Sequence, residues 1–411
     1  MTEHHSAPSP WRNRGFLQLM VYRIGTMLCY QIAAVTVGWH IYELTRSPFA
    51  LGMIGLAEVL PFFVVAPFAG YLVDHLPRRK LGAVACLGLA TTPLLLWLVG
   101  YMPALHSNLA LMYVAVALNG VVRSFLGPVY NALFARVLPR EQFVRGASLA
   151  SVVFQSGLVL GPALGGAITG WAGVQTAYVV SFVLGLIAVF AVFTLPVTEP
   201  PPPPQREPVF ASIREGIRFV FSQQVMLGAM ALDMFSVLLG GAVSMLPAFI
   251  KDILHAGPEA FGVMRGLPAL GSIVVALWLA RRPLEKHAGR ILMVAVAGFG
   301  LCTISFALSR NLWLSGALLV AYGMCDGVSV VLRSTILQLV TPDEMRGRVS
   351  SINSIFISSS NELGAFYDGV MARLLGLVPA IVAGGFVTLA VVGITAWRAP
   401  KLRRLDLRDL H

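Results

Sequence analysis

Polar residues in this chain come in short clusters, and the stretches between them are apolar on every helical face rather than on one. The apolar runs fall at about 16–44, 50–72, 81–102, 107–134, 147–170 and 174–196, and then at 224–249, 260–280, 291–309, 312–338, 349–373 and 377–397. Runs of about 20 residues can each cross a hydrocarbon layer as an α-helix. Transmembrane strands would instead alternate apolar and polar over short segments. The pattern predicts an all-α membrane protein with twelve transmembrane helices arranged six plus six.

The break between the two sets, "TEPPPPPQREPVF", is proline-rich and extended, so it cannot continue a helix. After it, "ASIREGIRFVFSQQ" has the two-faced pattern of a short helix lying along a membrane surface. The expected organisation is an N-terminal six-helix bundle over 1–197, a cytoplasmic linker with a short amphipathic helix over 198–223, and a C-terminal six-helix bundle with a basic cytoplasmic tail over 224–411.

The two sets are copies of each other. A shift of 203 positions brings Pro139 onto Pro342, Glu141 onto Glu344, Arg145 onto Arg348, Gly161 onto Gly364 and Gly166 onto Gly369. A shift of 210 brings Pro48 onto Pro258 and Gly52 onto Gly262. Six crossings per copy is an even number, so the repeats run parallel in the membrane and are pseudo-symmetric about an axis along its normal.

Composition agrees, with 57% hydrophobic and 12% charged residues among 411 and a mean hydropathy of +0.77. The net charge of +11 raises the question of a nucleic-acid partner. Position answers it. Of the 30 lysines and arginines, 22 fall in the N-tail, the linker, the C-tail and the loops on their side, against 4 in the opposite loops. That bias places both termini in the cytoplasm and leaves no case for nucleic acid. The polar N-terminus, "MTEHHSAPSPWRNR", has no apolar leader core, so the first run is expected to stay in the mature chain. Cys29, Cys86, Cys302 and Cys325 lie inside apolar runs without metal-ligand or CxxC spacing, and are expected to be buried thiols.

Three groups of residues carry candidate chemistry. The loop "GYLVDHLPRRK" (70–80) follows the second run. Its bases orient the neighbouring helices, but Asp74 needs another role, because acids contribute little to orientation. In the fifth run, "GLVLGPALGG" spaces Gly157, Gly161 and Gly165 by four, on one helix face, with Pro162 removing a backbone donor. Small residues at this spacing also serve plain helix packing. Third, charges sit within the runs, where they are costly and mark functional sites. Arg23 and Asp233 occupy equivalent positions in the two copies, as do Arg123 and Asp326; Glu58, Glu362 and Asp368 add three more acids.

On these residues the chain resembles a major facilitator superfamily transporter over nearly its full length. Gly70, Leu72, Asp74, Arg78 and Arg79 match the family signature G-x-L-x-D-R-x-G-R-R/K, with His75 and Pro77 replacing the usual Arg and Gly. The stretch "GLAEVLPFFVVAPFAGYLVDHLPRR" is similar to a bacterial export branch, that of the enterobactin exporter and the transmembrane secretion effectors. The resemblance implies that Gly70, Asp74, Arg78 and Arg79 form a cytoplasmic gate loop. It also implies that the Gly157–Gly161–Pro162–Gly165 stretch is the bend of an exporter motif. Runs one, four, seven and ten would line a central cavity, making Arg23, Arg123, Asp233 and Asp326 the proton-coupling and cavity candidates. Runs two and eleven would face each other, making Glu58 and Glu362 gate candidates. Asn353, Asn361 and Gln155 offer neutral hydrogen bonds to substrate, and Trp39, Phe62, Phe63, Phe125, Phe154 and Phe366 offer aromatic surface.

No phosphate-binding loop GxxxxGK[ST] is present, which argues against direct use of ATP, and no metal-ligand cluster or HExxH motif stands in the sequence. The expectation is a monomeric, non-enzymatic secondary transporter of a bacterial inner membrane. It needs no cofactor and is driven by the proton gradient, exporting drug-like compounds or siderophores by alternating access. A proton-coupled uptake symporter and a non-transporting sensor or scaffold are the alternatives.

Overall fold

The computed structural model describes residues 10–102, 108–139, 142–197, 209–281, 286–342 and 345–407. The regular structure it describes is helical throughout. In chain order the helices are α1 (Arg14–Thr45), α2 (Pro48–His75), α3 (Arg78–Tyr101), α4 (Leu109–Val137), α5 (Phe143–Phe193), α6 (Val209–Ser222) and α7 (Gln224–Gly240). They continue with α8 (Leu246–Asp252), α9 (Pro258–Arg281), α10 (Ala288–Leu308), α11 (Leu312–Val340), α12 (Arg346–Leu375), α13 (Leu377–Arg398) and α14 (Pro400–Arg403).

Among the described residues, ten segments are long and apolar enough to cross a membrane. Two features separate this number from the expected twelve. The expected fifth and sixth runs are joined in α5, whose 51 residues would measure about 75 Å if straight, against about 30 Å of hydrocarbon. The chain turns within it at Gly173, where φ of 84° and ψ of 163° leave the helical region and suit a residue without a side chain. The expected eleventh run is α12, a 30-residue helix whose serines and asparagines keep it outside the apolar set. The short helix expected after the proline-rich break is α6, and its Val220 packs in one cluster with Met226, Met230, Leu337 and Val349. The proline-rich stretch 198–208 lies outside the described residues.

The helices sort into two compact units, one of Met1–Val37 with Leu60–Arg206, the other of Gly38–Val59 with Glu207–His411. The second unit thus takes the end of α1 and the beginning of α2. In the first unit, α3 packs between α4 and α5 around Phe16, Leu19, Tyr22, Cys86, Val129 and Leu133. In the second, α9 pairs with α11, α10 with α13, and α7 with both α12 and α13. Its core includes Leu232, Leu292, Leu332 and Ile336. The described part of the C-tail is not loose: Leu402, Leu405 and Leu407 are buried in that core, and Gly289 N donates to Leu405 O at 3.2 Å.

Candidate functional site

In each unit, two helices bring intramembrane arginines or aspartates together. In the first unit these are α1 and α4, which meet through reciprocal arginine–aromatic contacts. The Arg23 guanidinium of α1 lies 3.8 Å from the Tyr130 ring centroid of α4 and 4.8 Å from that of Phe154 on α5. Arg123 of α4 donates from Nη1 to Tyr30 Oη of α1 at 3.0 Å and lies 4.9 Å from the Tyr30 ring centroid. Cations held against ring faces are attracted by the negative quadrupole of the π cloud. Arg23 and Tyr30 are seven residues apart, as are Arg123 and Tyr130. Seven residues is nearly two full turns, so each pair shares a face and the two contacts form rungs about 10 Å apart.

The glycines of the fifth run position α1 for this. A Cβ on Gly157 would stand 2.9 Å from Met27 Cβ, one on Gly161 2.6 Å from Gln31 Cβ, and one on Gly165 3.0 Å from Ile32 Cα. All three therefore face α1 and let α5 approach it closely. The non-helical backbone of α5 is at Gly173; Pro162 stands inside the helix.

In the second unit, Asp233 of α7 forms an ion pair with Arg333 of α11. Both are nearly sealed from solvent, at 8% and 4% exposure. Next to the pair is a small cavity with room for about one water molecule, walled by Asp233, Ser236 and Val237 of α7, Val296 and Phe299 of α10, and Cys325, Asp326 and Ser329 of α11. Asp233 and Asp326 thus share one pocket, and Asp326 makes no ion pair among the described residues. The Phe299 and Tyr322 rings pack at 4.2 Å beside it. The Ser236 hydroxyl on the cavity wall is buried without a hydrogen-bond partner.

Above the cavity α7 stops. The chain leaves the helix at Gly241, passes through a 3-10 turn at Val243–Met245, and restarts as α8 with Pro247 in its first turn. Asp368 of α12, itself buried, holds this break by accepting a hydrogen bond from Ser244 Oγ at 2.6 Å.

The profile of the Major Facilitator Superfamily matches residues 19–365. The chain belongs to that superfamily. It is therefore a multi-pass membrane transporter of a small-molecule substrate, not an enzyme, and the resemblance read from the gate loop holds. It is 24% identical to the enterobactin exporter of Citrobacter koseri over 380 residues, covering 92% of this chain and 90% of the relative. With the enterobactin exporter of Escherichia coli O1:K1 the identity is 23% at the same coverage. The fold is similar to those of a D-xylose–proton symporter (TM-score 0.73, 11% identity, 95% of this chain and 99% of that one) and an inward-facing bacterial homologue of the iron transporter ferroportin (TM-score 0.71, 18% identity, 95% and 99%).

Other superfamily candidates fall as follows. Gly70 and the Asp74 side chain lie outside the described residues. Arg78 donates from Nε to Val73 O at 3.4 Å, and Arg79 from Nη1 to Leu195 O at 3.0 Å, so the gate-loop bases bind backbone of the first unit. Helices α2 and α12 touch backbone to backbone, since a Cβ on Gly52 would stand 3.0 Å from Gly369 Cα and one on Gly55 would collide with the Glu362 carbonyl. That crossing brings the helices of Glu58, 5% exposed, and Glu362 together.

Three clusters escaped the sequence reading. Arg333 had no assigned partner, though the 203 shift places it opposite Tyr130, a signal that was available. Cys302 of α10 and Cys325 of α11 hydrogen-bond each other, a pairing that spacing along the chain cannot reveal. At the end of α1, Tyr42 hydrogen-bonds Asp252, Arg46 Nη1 stands 3.4 Å from Asp252 Oδ1, and Lys251 Nζ donates to Glu43 Oε1 at 2.6 Å. Lys251 also lies 5.0 Å from the Trp39 ring centroid, and that ring stacks on Phe261.

Proposed function

We propose that this chain is a proton-coupled exporter of an organic solute, a siderophore or a drug-like compound, working by alternating access as a monomer in a bacterial inner membrane. It crosses twelve times with both termini in the cytoplasm, counting α5 as two crossings and α12 as one, and it uses the proton gradient with no cofactor. The observation that carries the coupling is the pocket that holds Asp233 and Asp326 within membrane-spanning helices, with Arg333 committed to only one of them. A carboxylate there exchanges a proton according to whether a guanidinium or low-dielectric surroundings face it. Asp326 is the proton carrier, and the Asp233–Arg333 pair is the fixed charge against which it titrates. The outward direction is supported by the similarity to enterobactin exporters across most of the chain.

The test is purified protein in liposomes with an imposed pH gradient and an interior pH dye, challenged with lipophilic cations and catechol compounds. Substrate-dependent proton movement is expected in the wild type and is lost in Asp326→Asn and Asp233→Asn. Flux that persists unchanged in both variants assigns coupling elsewhere.

A further inference from the structure

The cavity between α7, α10 and α11 has more polar groups on its wall than the wall itself can satisfy. On α7, Asp233 and Ser236 are three residues apart and share a face; on α11, Asp326, Ser329 and Arg333 follow one another at spacings of three and four, also on one face. Arg333 is engaged with Asp233. The others are not engaged. Ser236 Oγ is buried without a hydrogen-bond partner, on a residue only 2% exposed. Ser329 and Asp326 make no hydrogen bond or ion pair among the described residues. Val296 and Phe299 of α10 close the space with carbon.

The repeat shows that Ser236 has another option. Its equivalent in the first unit, Thr26, satisfies its hydroxyl within its own helix, donating to the carbonyls of Tyr22 at 3.0 Å and Arg23 at 2.9 Å. Leu232 and Asp233 offer Ser236 the same two carbonyls, and it uses neither. A buried hydroxyl left unpaired is destabilising, so the one on this wall needs a partner in the cavity. The space holds about one water molecule, too little for an organic solute. Water also fits the inventory. Two carboxylates can only accept and two hydroxyls can each donate, which matches the two donors and two acceptors of a single water.

We propose that this cavity is a binding site for one water molecule, held by Ser236, Ser329, Asp326 and Asp233. The reading rests on the coupling scheme above and deepens it: the water solvates the Asp326 carboxylate inside the membrane, so that Asp326 can hold its charge after giving up a proton. The neighbouring groups leave that task open. Arg333 is turned to Asp233, and Cys325 hydrogen-bonds Cys302 of α10. Tyr322, one turn back on α11, lies within electrostatic reach of both Asp326 and Asp368 of α12. Asp233, Arg333, Cys325, Cys302, Tyr322 and Asp368 are thus the titratable or charged groups that α7, α10, α11 and α12 bring around Asp326 among the described residues.

The experiment is infrared difference spectroscopy on the full chain in lipid bilayers, titrated with pH in potassium chloride, in ordinary and in heavy-oxygen water. Asp326→Asn identifies the carboxyl band of Asp326, and thermal midpoints are recorded for every variant. The wild type is expected to show a bound-water O–H band that shifts with the heavier oxygen. Ser236→Val fills the cavity, so that band should vanish. Asp326 should then take up its proton about one pH unit higher, because its charged form has lost a donor. Ser236→Ala keeps the room and removes one anchor, so the water band should persist and the titration move less. If Ser236→Val does not fold, Ser329→Val, which fills the cavity from α11, decides. A wild type without an isotope-sensitive water band overturns the proposal, and so does an Asp326 that never titrates. A folded filling variant whose Asp326 titrates within about 0.2 unit of the wild type overturns it as well. A titration that moves when sodium replaces potassium would give the site to a cation instead. The expected spectra combined with a proton flux that ignores Asp326 would sink the coupling scheme and leave this site standing. Flux that needs Asp326, with a titration indifferent to Ser236, would do the reverse.

Discussion

Helices α1 and α7–α8 are equivalent under the 210 shift, yet α1 runs unbroken for 32 residues while its counterpart stops at Gly240 and restarts at Leu246. The packing beneath is the same in both. Gly161 of α5 presses on Leu28 and Gln31 of α1, and its repeat Gly364 of α12 presses on Val237 and Leu238 of α7, where Leu238 is the repeat of Leu28. What differs is the next turn. Tyr30 and Gln31 propagate a helix; Gly240 and Gly241 in their place make one costly, by about 1 kcal/mol each relative to alanine. A side chain from α12 then settles the matter, because Asp368 offers Ser244 a partner that an intact helix would not need. The duplicated chain has kept its helix-to-helix contacts and spent its divergence on helix continuity and on the sign of the buried charge.

The largest effect should come from the charges. Arg333→Met leaves Asp233 buried without its partner and should cost about 3–5 kcal/mol, whereas Asp233→Asn combined with Arg333→Met should recover most of that loss. At the equivalent face of the first unit, Arg23→Met removes a cation from neutral rings and should cost only about 1 kcal/mol. Thermal midpoints of the four proteins measure the asymmetry, and equal losses for Arg333→Met and Arg23→Met would erase it.

A smaller effect tests helix continuity. Gly241→Ala should favour extending α7 by about 1 kcal/mol, and its Cβ would stand 3.2 Å from Asp368 Oδ2. Transport should slow severalfold while the thermal midpoint holds or rises. A variant that transports at the wild-type rate would show that the break is a passive feature of packing.

The smallest belongs to the end of α1. Lys251→Gln removes the contact with Glu43, a pair with side-chain exposures of 18% and 43%, and should cost about 0.5 kcal/mol, fading as salt is raised. A salt-independent loss above 2 kcal/mol would mean that the ring contact with Trp39 outweighs the ion pair.

Much of this was legible in the chain itself. Apolar run length located the helices, and the 203 and 210 shifts located Arg23, Arg123, Asp233 and Asp326 as equivalent positions. The pairing was not legible, because hydropathy gives each helix a place in the order but no rotation about its axis. Arg23 was grouped with Arg123, Asp233 and Asp326 without a partner named for it; the structure sets it on Tyr130 and Phe154, while Arg333 meets Asp233. The fifth and sixth runs were read as separate, with a gap at 170–174, and the turn between them is at Gly173, where a positive φ costs nothing; Pro162 stands inside the helix. α12 was counted as an apolar run although its serines and asparagines leave it outside the ten apolar segments, and its glycines pack it against α2 and α7.

The residues that join α1 to α2 have a schedule imposed on them. Gly38–Val59 belongs with the second unit, and Tyr42 is separated by 210 residues from the aspartate it binds. At about 5–20 residues per second, a ribosome adds that length in about 10–40 s. Throughout that interval the hairpin is made but its neighbours are not, so Glu43 and Arg46 stand at the membrane without Lys251 and Asp252. The nascent N-terminal half is thus an unfinished object. A chain cut in the linker would yield fragments that complement each other only when made together, and a ribosome stalled before Lys251 would leave a substrate for the quality-control proteases of the membrane.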